Sequence, residues 1–466
     1  MGEYIRHNCG LVVTHTLHDT YSMIRSLQHR GREAAGIAAI GKDRIDVIKW
    51  IGPVSTFDVV DLHKVFPCED YHTYMAHVRY ATRGRKDKIL EDAHPHTIGG
   101  TIHNRGNHIF ISDCKAAAVH NGQVNEQYLN GFDKGLLNTG CDTEAILHMY
   151  MEVGEHEILR QIPGSYTLAI ADKNRSDVIV LRDRTGIKPG VLGWKDGKYG
   201  IASEDIAYRK NGGEFIEDLN PGAVYFLHPG GGYNSDQVVD PMLRFCFFEW
   251  NYLADCDSVV NGVSVRRLRE KLGEVLADEI QLDDIDLVTF LPRCPEPAAR
   301  SYAKKMRTPF DFLFYKMRGE RAFQGSTDDD REESIKDNLH LLPRNGDLRR
   351  KRVAVLDDST VRGNNSRRER QLLYEEAKVD EAFHLNYTPP IGIVGDDGEL
   401  RGCLYGVDMP PDDKFIARGR SLEEISKEMK MPMFYISLEG MLQAFEETGI
   451  SRDSLCWHCI GGPKPF

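Results

Sequence analysis

The stretch Lys351–Arg368, KRVAVLDDSTVRGNNSRR, carries the strongest fold information in the chain. A short apolar strand, Val353 to Leu356, delivers two adjacent acids, Asp357 and Asp358, to its carboxyl end, and in an open parallel sheet ligands sit just outside that end. The loop that follows offers small and polar residues, Ser359, Thr360, Val361, Arg362, Gly363, Asn364 and Asn365, with Gly363 for a strained turn and backbone N–H groups running into a helix N-terminus. That combination predicts a phosphate cradle. The two acids suit ribose hydroxyls or a Mg²⁺ bridging a diphosphate, because hard cations take oxygen ligands. The plainer alternative is an ordinary capped strand-to-helix loop.

The surrounding text agrees with a parallel α/β sheet in the second half. A helical stretch, VSVRRLREKLGEVLADEI, precedes strand-like runs, DLVTFLP and RVAVLDDS, that alternate with helical ones such as SRRERQLLYEEA. The first half differs: LVV after Cys9, YMAHVRYAT, AAAVHNG, SYTLAIAD and DVIVLRD read as strands with few helices between them. One helix is expected after Asp19 or Thr20 as N-cap, with Tyr21, Ile24 and Leu27 at helical spacing and Gly31 as a stop. Gly-rich polar text between 210 and 245 (KNGGEF, HPGGGYNSDQ) suggests the boundary between two domains.

A net charge of −12 without a basic stripe argues against nucleic-acid binding. No run of about 18 apolar residues and no apolar leader after MGEYIRHN are found, so neither a membrane partner nor export is expected, and a cytoplasmic enzyme is. Ten cysteines are too few for a disulfide scaffold in a chain of 466 residues; they point to catalysis, metal binding or burial. Cys456 and Cys459 form a C-x-x-C pair, a spacing that grips a zinc ion or an iron–sulfur cluster, or forms a redox dithiol.

The acidic loop resembles the phosphoribosyl diphosphate loop of type I phosphoribosyltransferases, and nearly the whole chain resembles the glutamine phosphoribosylpyrophosphate amidotransferases. The likeness is carried by LQHRGREAAGIA (Leu27–Ala38), HVRYATRG (His77–Gly84), HNG (His120–Gly122), CDTE (Cys141–Glu144), RDRTGIKP (Arg182–Pro189), SED (Ser203–Asp205), PPI (Pro389–Ile391) and SLEGM (Ser437–Met441). It implies an N-terminal-nucleophile hydrolase, a four-layer αββα sandwich, followed by a type I phosphoribosyltransferase parallel-sheet domain. The division expected is a propeptide at 1–8, a glutaminase domain at 9–240, and a transferase domain with a cluster-binding end at 241–466.

Hydrolysing an amide needs a nucleophile, a base and donors for the developing oxyanion. A cysteine at position one supplies two of these, since its own α-amine titrates near neutral pH. The resemblance therefore implies that Cys9 is exposed by loss of Met1–Asn8, with Asn121 and the Gly122 N–H as oxyanion donors, Arg79 on the glutamine carboxylate and Asp142 on its ammonium. Cys141 stands where the family usually has Ser, a change expected to matter little. Cys246, Cys403, Cys456 and Cys459 match the family's [4Fe-4S] ligands, with zinc as the rival metal. Lys316, Arg318 and Arg321 match cationic residues of the family's lid over the diphosphate.

Three departures stand out. Leu291-Pro292-Arg293-Cys294 replaces V-P-D-S, the lid is one residue shorter, and GIVGDDGELRG is inserted before Cys403 as a surface loop or an altered acceptor contact. The expected activity is formation of 5-phosphoribosylamine from phosphoribosyl diphosphate and glutamine, with Mg²⁺, purine nucleotides as feedback inhibitors and a homotetrameric assembly. Alternatives are a different phosphorylated sugar or nucleotide acceptor, and a non-catalytic regulator that binds phosphoribosyl diphosphate.

Overall fold

The computed structural model describes residues 9–80, 88–124, 134–316, 339–343, 347–411 and 414–466. Period-two alternation builds the first half as stacked sheets. In the strand Gly10–Thr14, Leu11 and Val13 point into the core between two sheets, while Val12 joins the core under the helix Leu17–Ser26. In Ala116–Val124, Ala117 and Val119 face the same central core, and Ala116 and Ala118 face the helix Asp142–Gln161. The result is helix, sheet, sheet, helix. A nine-stranded sheet sets Gly10–Thr14 between Lys198–Ala202 and Thr73–Arg79, antiparallel to both. A six-stranded sheet sets Ala116–Val124 between His96–Ile98 and Gly164–Asp172, again antiparallel.

Two local expectations change. The first helix is capped by Thr16, whose extended backbone (φ −137°, ψ 145°) lets its hydroxyl accept from Asp19 N at 3.1 Å; Asp19 and Thr20 lie inside the helix. It ends at Ser26, and a short 3₁₀ turn, Gln28–Arg30, carries the chain to Gly31. The Gly-rich text after 210 is largely strand: Glu214–Asp218, Ala223–Leu227 and Tyr233–Gln237 complete the edges of the two sheets, the glycines serving as hairpin turns.

Beyond residue 240 the architecture changes to a four-stranded parallel sheet ordered Leu287–Phe290, Arg352–Asp357, Glu381–Asn386, Met433–Tyr435. Ala354 and Leu356 feed one apolar cluster and Val353 and Val355 the other, so the central strand is covered on both faces, as parallel strands require. Ser264 caps the helix Val265–Glu279, which covers one face. The inserted segment before Cys403 is a small hairpin bridged between Val394 and Leu400 and braced by Arg401 on Asp397 at 2.9 Å.

Candidate active site

Cys9 is fully buried at the start of its strand, and Cys9 N donates to Asn121 Oδ1 at 3.1 Å. That nitrogen is a peptide N–H in the full chain and stands for the α-amine of a chain beginning at Cys9. Burial pushes the Cys9 thiol up to about 12 against the Tyr80 backbone and the Arg79, Lys188 and Arg30 charges. A thiol so protonated needs an adjacent base, which is what an α-amine on the same residue would be. Asn121 Nδ2 is buried and makes no hydrogen bond among the described residues, leaving a donor for an oxyanion. Gly122 follows at φ +143°, where a Cβ would lie 2.0 Å from Ser165 O, so the strand keeps this close approach only with glycine.

Arg79 ends the strand Thr73–Arg79 with its side chain buried, 2.9 Å from Glu33 and 3.9 Å from Asp92. Its Nε and Nη2 make no hydrogen bond within the described protein, so one edge of the guanidinium remains for a carboxylate. Asp142 opens the helix Asp142–Gln161 and accepts from Val124 N at 3.1 Å, which ties it to the strand that carries Asn121. Gln123, buried with both amide atoms making no hydrogen bond among the described residues, is a further polar group here that sequence reasoning passed over.

Arg30 was named only within a motif, yet it is the structural centre of the region. Its Nε donates to Cys9 O at 3.0 Å, Nη1 donates to Glu204, and Nη2 forks onto Glu249 at 3.0 and 2.9 Å. Burial opposes the Arg30 and Glu204 charges. The Glu249 and Glu204 carboxylates nevertheless hold Arg30 above its ordinary value, and His29 and Arg30 hold Glu204 well below the carboxylate range. Glu204 also accepts from Asp255 N and Ser258 Oγ, and Glu249 begins the turn Glu249–Leu253, so one ion cluster joins Cys9 to the second half of the chain.

That second half contributes a cavity of about 400 Å³. Asp357, Asp358, Ser359 and Asn365 line it with Lys316, Arg293 and Cys294, and His29 and Arg32 reach it from the first half. Burial, then Asp358 and Glu369, pushes Asp357 well up; burial raises Asp358 to about 6 despite Ser359 and Arg269. Two adjacent buried acids of this kind fit a hard divalent cation, whose charge would keep both ionised. Thr360 turns inward, its hydroxyl 2.8 Å from Asn386 Oδ1 and 3.1 Å from His384 Nε2, so only its backbone is left for a ligand. Val361 is buried, Arg362 lies over the Phe415 ring at 5.6 Å, and Gly363 at φ +78° turns the loop into the helix Asn364–Arg370. Arg318 and Arg321 lie outside the described residues, as does Met1–Asn8. The inserted hairpin does not line the cavity.

The four matching cysteines converge. Cys246 pairs in register with Cys456 on two short parallel strands, Cys459 sits one turn on, and Val407 N donates to Cys403 Sγ at 3.1 Å. Burial and then the Cys403, Cys246 and Cys456 thiols raise Cys459; burial and then Cys403 and Cys456 raise Cys246. Among the described residues, the one His, Cys or acid trio closing within 4.8 Å is His94, His96 and Cys141.

Residues 104–227 match the glutamine amidotransferase domain family. The amidophosphoribosyltransferase of Archaeoglobus fulgidus is 30% identical over 96% of this chain and 94% of its own length, and that of Mycobacterium tuberculosis 31% identical over 96% and 83%. A solved structure of the glutamine phosphoribosylpyrophosphate amidotransferase from B. subtilis, complexed with ADP and GMP, superposes with a TM-score of 0.79 at 26% identity, covering 98% of this chain and 97% of that one.

Proposed function

The chain belongs to the amidophosphoribosyltransferase family, and we infer from that membership that it makes 5-phosphoribosylamine from phosphoribosyl diphosphate and glutamine-derived ammonia, the first step of purine synthesis. The observation that carries the two-site reading is the physical link between halves: Arg30 holds Cys9, while its neighbours His29 and Arg32 line the same cavity as Asp357 and Asp358.

Once Met1–Asn8 is removed, the Cys9 α-amine takes the thiol proton and the sulfur attacks the glutamine side-chain amide. Asn121 Nδ2 and Gly122 N–H receive the oxyanion, Arg79 and Asp142 hold the glutamine carboxylate and ammonium, and ammonia leaves a γ-glutamyl thioester that water hydrolyses. The released ammonia passes through a closed internal channel, because ammonium formed in bulk water is a poor nucleophile. At the second site the Ser359–Asn365 loop holds phosphate groups, Lys316 from the cavity wall and the matching cations Arg318 and Arg321 supply charge for the diphosphate, and ammonia displaces pyrophosphate from C1 of the ribose. Asp357 and Asp358 are the residues that would hold Mg²⁺, which when bound neutralises charge on the leaving group. Cys246, Cys403, Cys456 and Cys459 would hold a [4Fe-4S] cluster with a structural task, a reading supported by their shared burial and by the register that sets Cys246 beside Cys456. Domain limits at 9–240 and 241–466, a homotetramer and feedback by purine nucleotides belong to the same proposal, the last supported by the relative solved with ADP and GMP. Among the described residues no helix is long and apolar enough to cross a membrane, and we place the enzyme in the cytoplasm.

The test is pyrophosphate release from phosphoribosyl diphosphate and Mg²⁺ by anaerobically purified protein, with glutamine or ammonia as donor. Wild type should work with both and Cys9→Ala with ammonia alone. Glutamine hydrolysis without pyrophosphate from either donor would point instead to another acceptor, and to Arg293 and Cys294 as its determinants.

A further inference from the structure

Cys141, which stands where the family usually has Ser, meets His94 and His96, each residue offering one ligand atom and all three atoms lying within 4.8 Å of one another. All three side chains are buried. The three sit on two elements: His94 and His96 at the entry to the edge strand His96–Ile98, and Cys141 as the cap residue of the helix Asp142–Gln161. We propose that His94, His96 and Cys141 form a second metal site, separate from the cysteine quartet and from the acid pair, which takes a borderline-soft divalent ion of the zinc class.

Three observations support it. His96 Nε2 is buried and makes no hydrogen bond among the described residues, while the ring is hydrogen-bonded to the Asp92 backbone. A carbonyl on one ring nitrogen with the other left open is the arrangement that fixes a histidine tautomer for metal ligation. Thr143 Oγ1 sits 2.9 Å from His94 Nε2, 2.9 Å from His120 Nδ1 and 3.4 Å from Cys141 Sγ, bracing two members of the trio at once. Two nitrogens and one sulfur are zinc-type donors, and three protein ligands leave one further position on a tetrahedral ion. The neighbouring cations do not preclude the ion. Lys49 Nζ donates to Glu91 O and Ala93 O at 2.8 and 2.9 Å, and Arg79 is paired with Glu33 and Asp92. A Cys141 thiolate would itself offset one charge of the metal.

Because the site is closed, the ion is loaded as the chain folds, and the test is made on protein as purified from zinc-supplemented cells. Wild type should carry one zinc equivalent more than Cys141→Ser or His96→Gln, with iron and cluster absorbance equal in all three. The zinc-edge X-ray absorption of wild type, which needs no variant, should fit a mixed shell of nitrogen at about 2.0–2.1 Å and sulfur at about 2.3 Å. Cobalt-grown wild type should show a thiolate-to-cobalt charge-transfer band that Cys141→Ser lacks. Equal zinc in all three proteins, or an all-sulfur zinc shell, would overturn the proposal. Neither result depends on amidotransferase activity.

Discussion

Arg30→Met removes the cation from a cluster in which the side chains of Arg30, Glu204 and Glu249 are 3%, 0% and 2% exposed. Methionine keeps most of the volume, so the loss is electrostatic: two buried carboxylates lose their shared partner and Cys9 O loses a donor. Removing one member of a buried ion pair costs about 3–5 kcal/mol, because the remaining charge stays desolvated. The same interactions set a pH signature. Burial would raise Glu204, but His29 and Arg30 hold it well below the carboxylate range. A depressed carboxylate stabilises the fold above its unfolded value and loses that stabilisation as pH falls. The gap between wild type and Arg30→Met should thus be full at neutral pH and shrink as pH falls through the acid range, because the stranded carboxylates of the variant protonate before Glu204 of wild type does. The assay is urea unfolding of both proteins across pH, with Arg30→Met/Glu249→Gln completing a double-mutant cycle. The double variant should recover part of the loss, since one stranded carboxylate becomes neutral. A single variant within about 1 kcal/mol of wild type, or a double variant showing the simple sum of two losses, would refute the account.

Asn121→Ala should lower glutamine hydrolysis by about 10²–10³-fold, the usual cost of an oxyanion donor, while ammonia-dependent pyrophosphate release holds at the wild-type rate. Gly122→Ala should prevent a native glutaminase half, visible as lost near-ultraviolet dichroism, because the new Cβ would lie 2.0 Å from Ser165 O. In protein that keeps Met1, the Cys9 thiol, pushed up to about 12 by burial, should be alkylated at pH 8 at a small fraction of the rate of free cysteine, about 10⁻⁴ of it being thiolate; rapid labelling would contradict that burial. Asp357→Asn should abolish Mg²⁺-dependent pyrophosphate release from either nitrogen donor, with glutamine hydrolysis still measurable.

Much of the architecture was legible because it is periodic or local. Alternation in LVV and AAAVHNG marked strands, the apolar run before Asp357 marked a central parallel strand, and ordered motifs led to Cys9, Asn121, Arg79 and Asp142. Local competition misplaced one cap: three hydroxyl or acid side chains lie at 16, 19 and 20, and only backbone geometry shows that Thr16 is the extended one. Thr360 stands in the ligand loop of the string, and only the fold shows that its hydroxyl bonds Asn386 and His384 on a neighbouring strand.

The sequence by itself determined the two kinds of domain and singled out the candidate reactive groups, since strand period, loop glycines and motif order are properties of contiguous residues. Tertiary structure alone decided which distant groups share an environment. Arg30 meets Glu249 across 219 positions, and the His-Pro-His run at 94–96 gains a thiol only when the helix beginning at Asp142 packs against its strand. Burial supplies the physical reason: a charge or an imidazole takes its chemistry from the partners and dielectric around it, and these are set by packing rather than by neighbours along the chain.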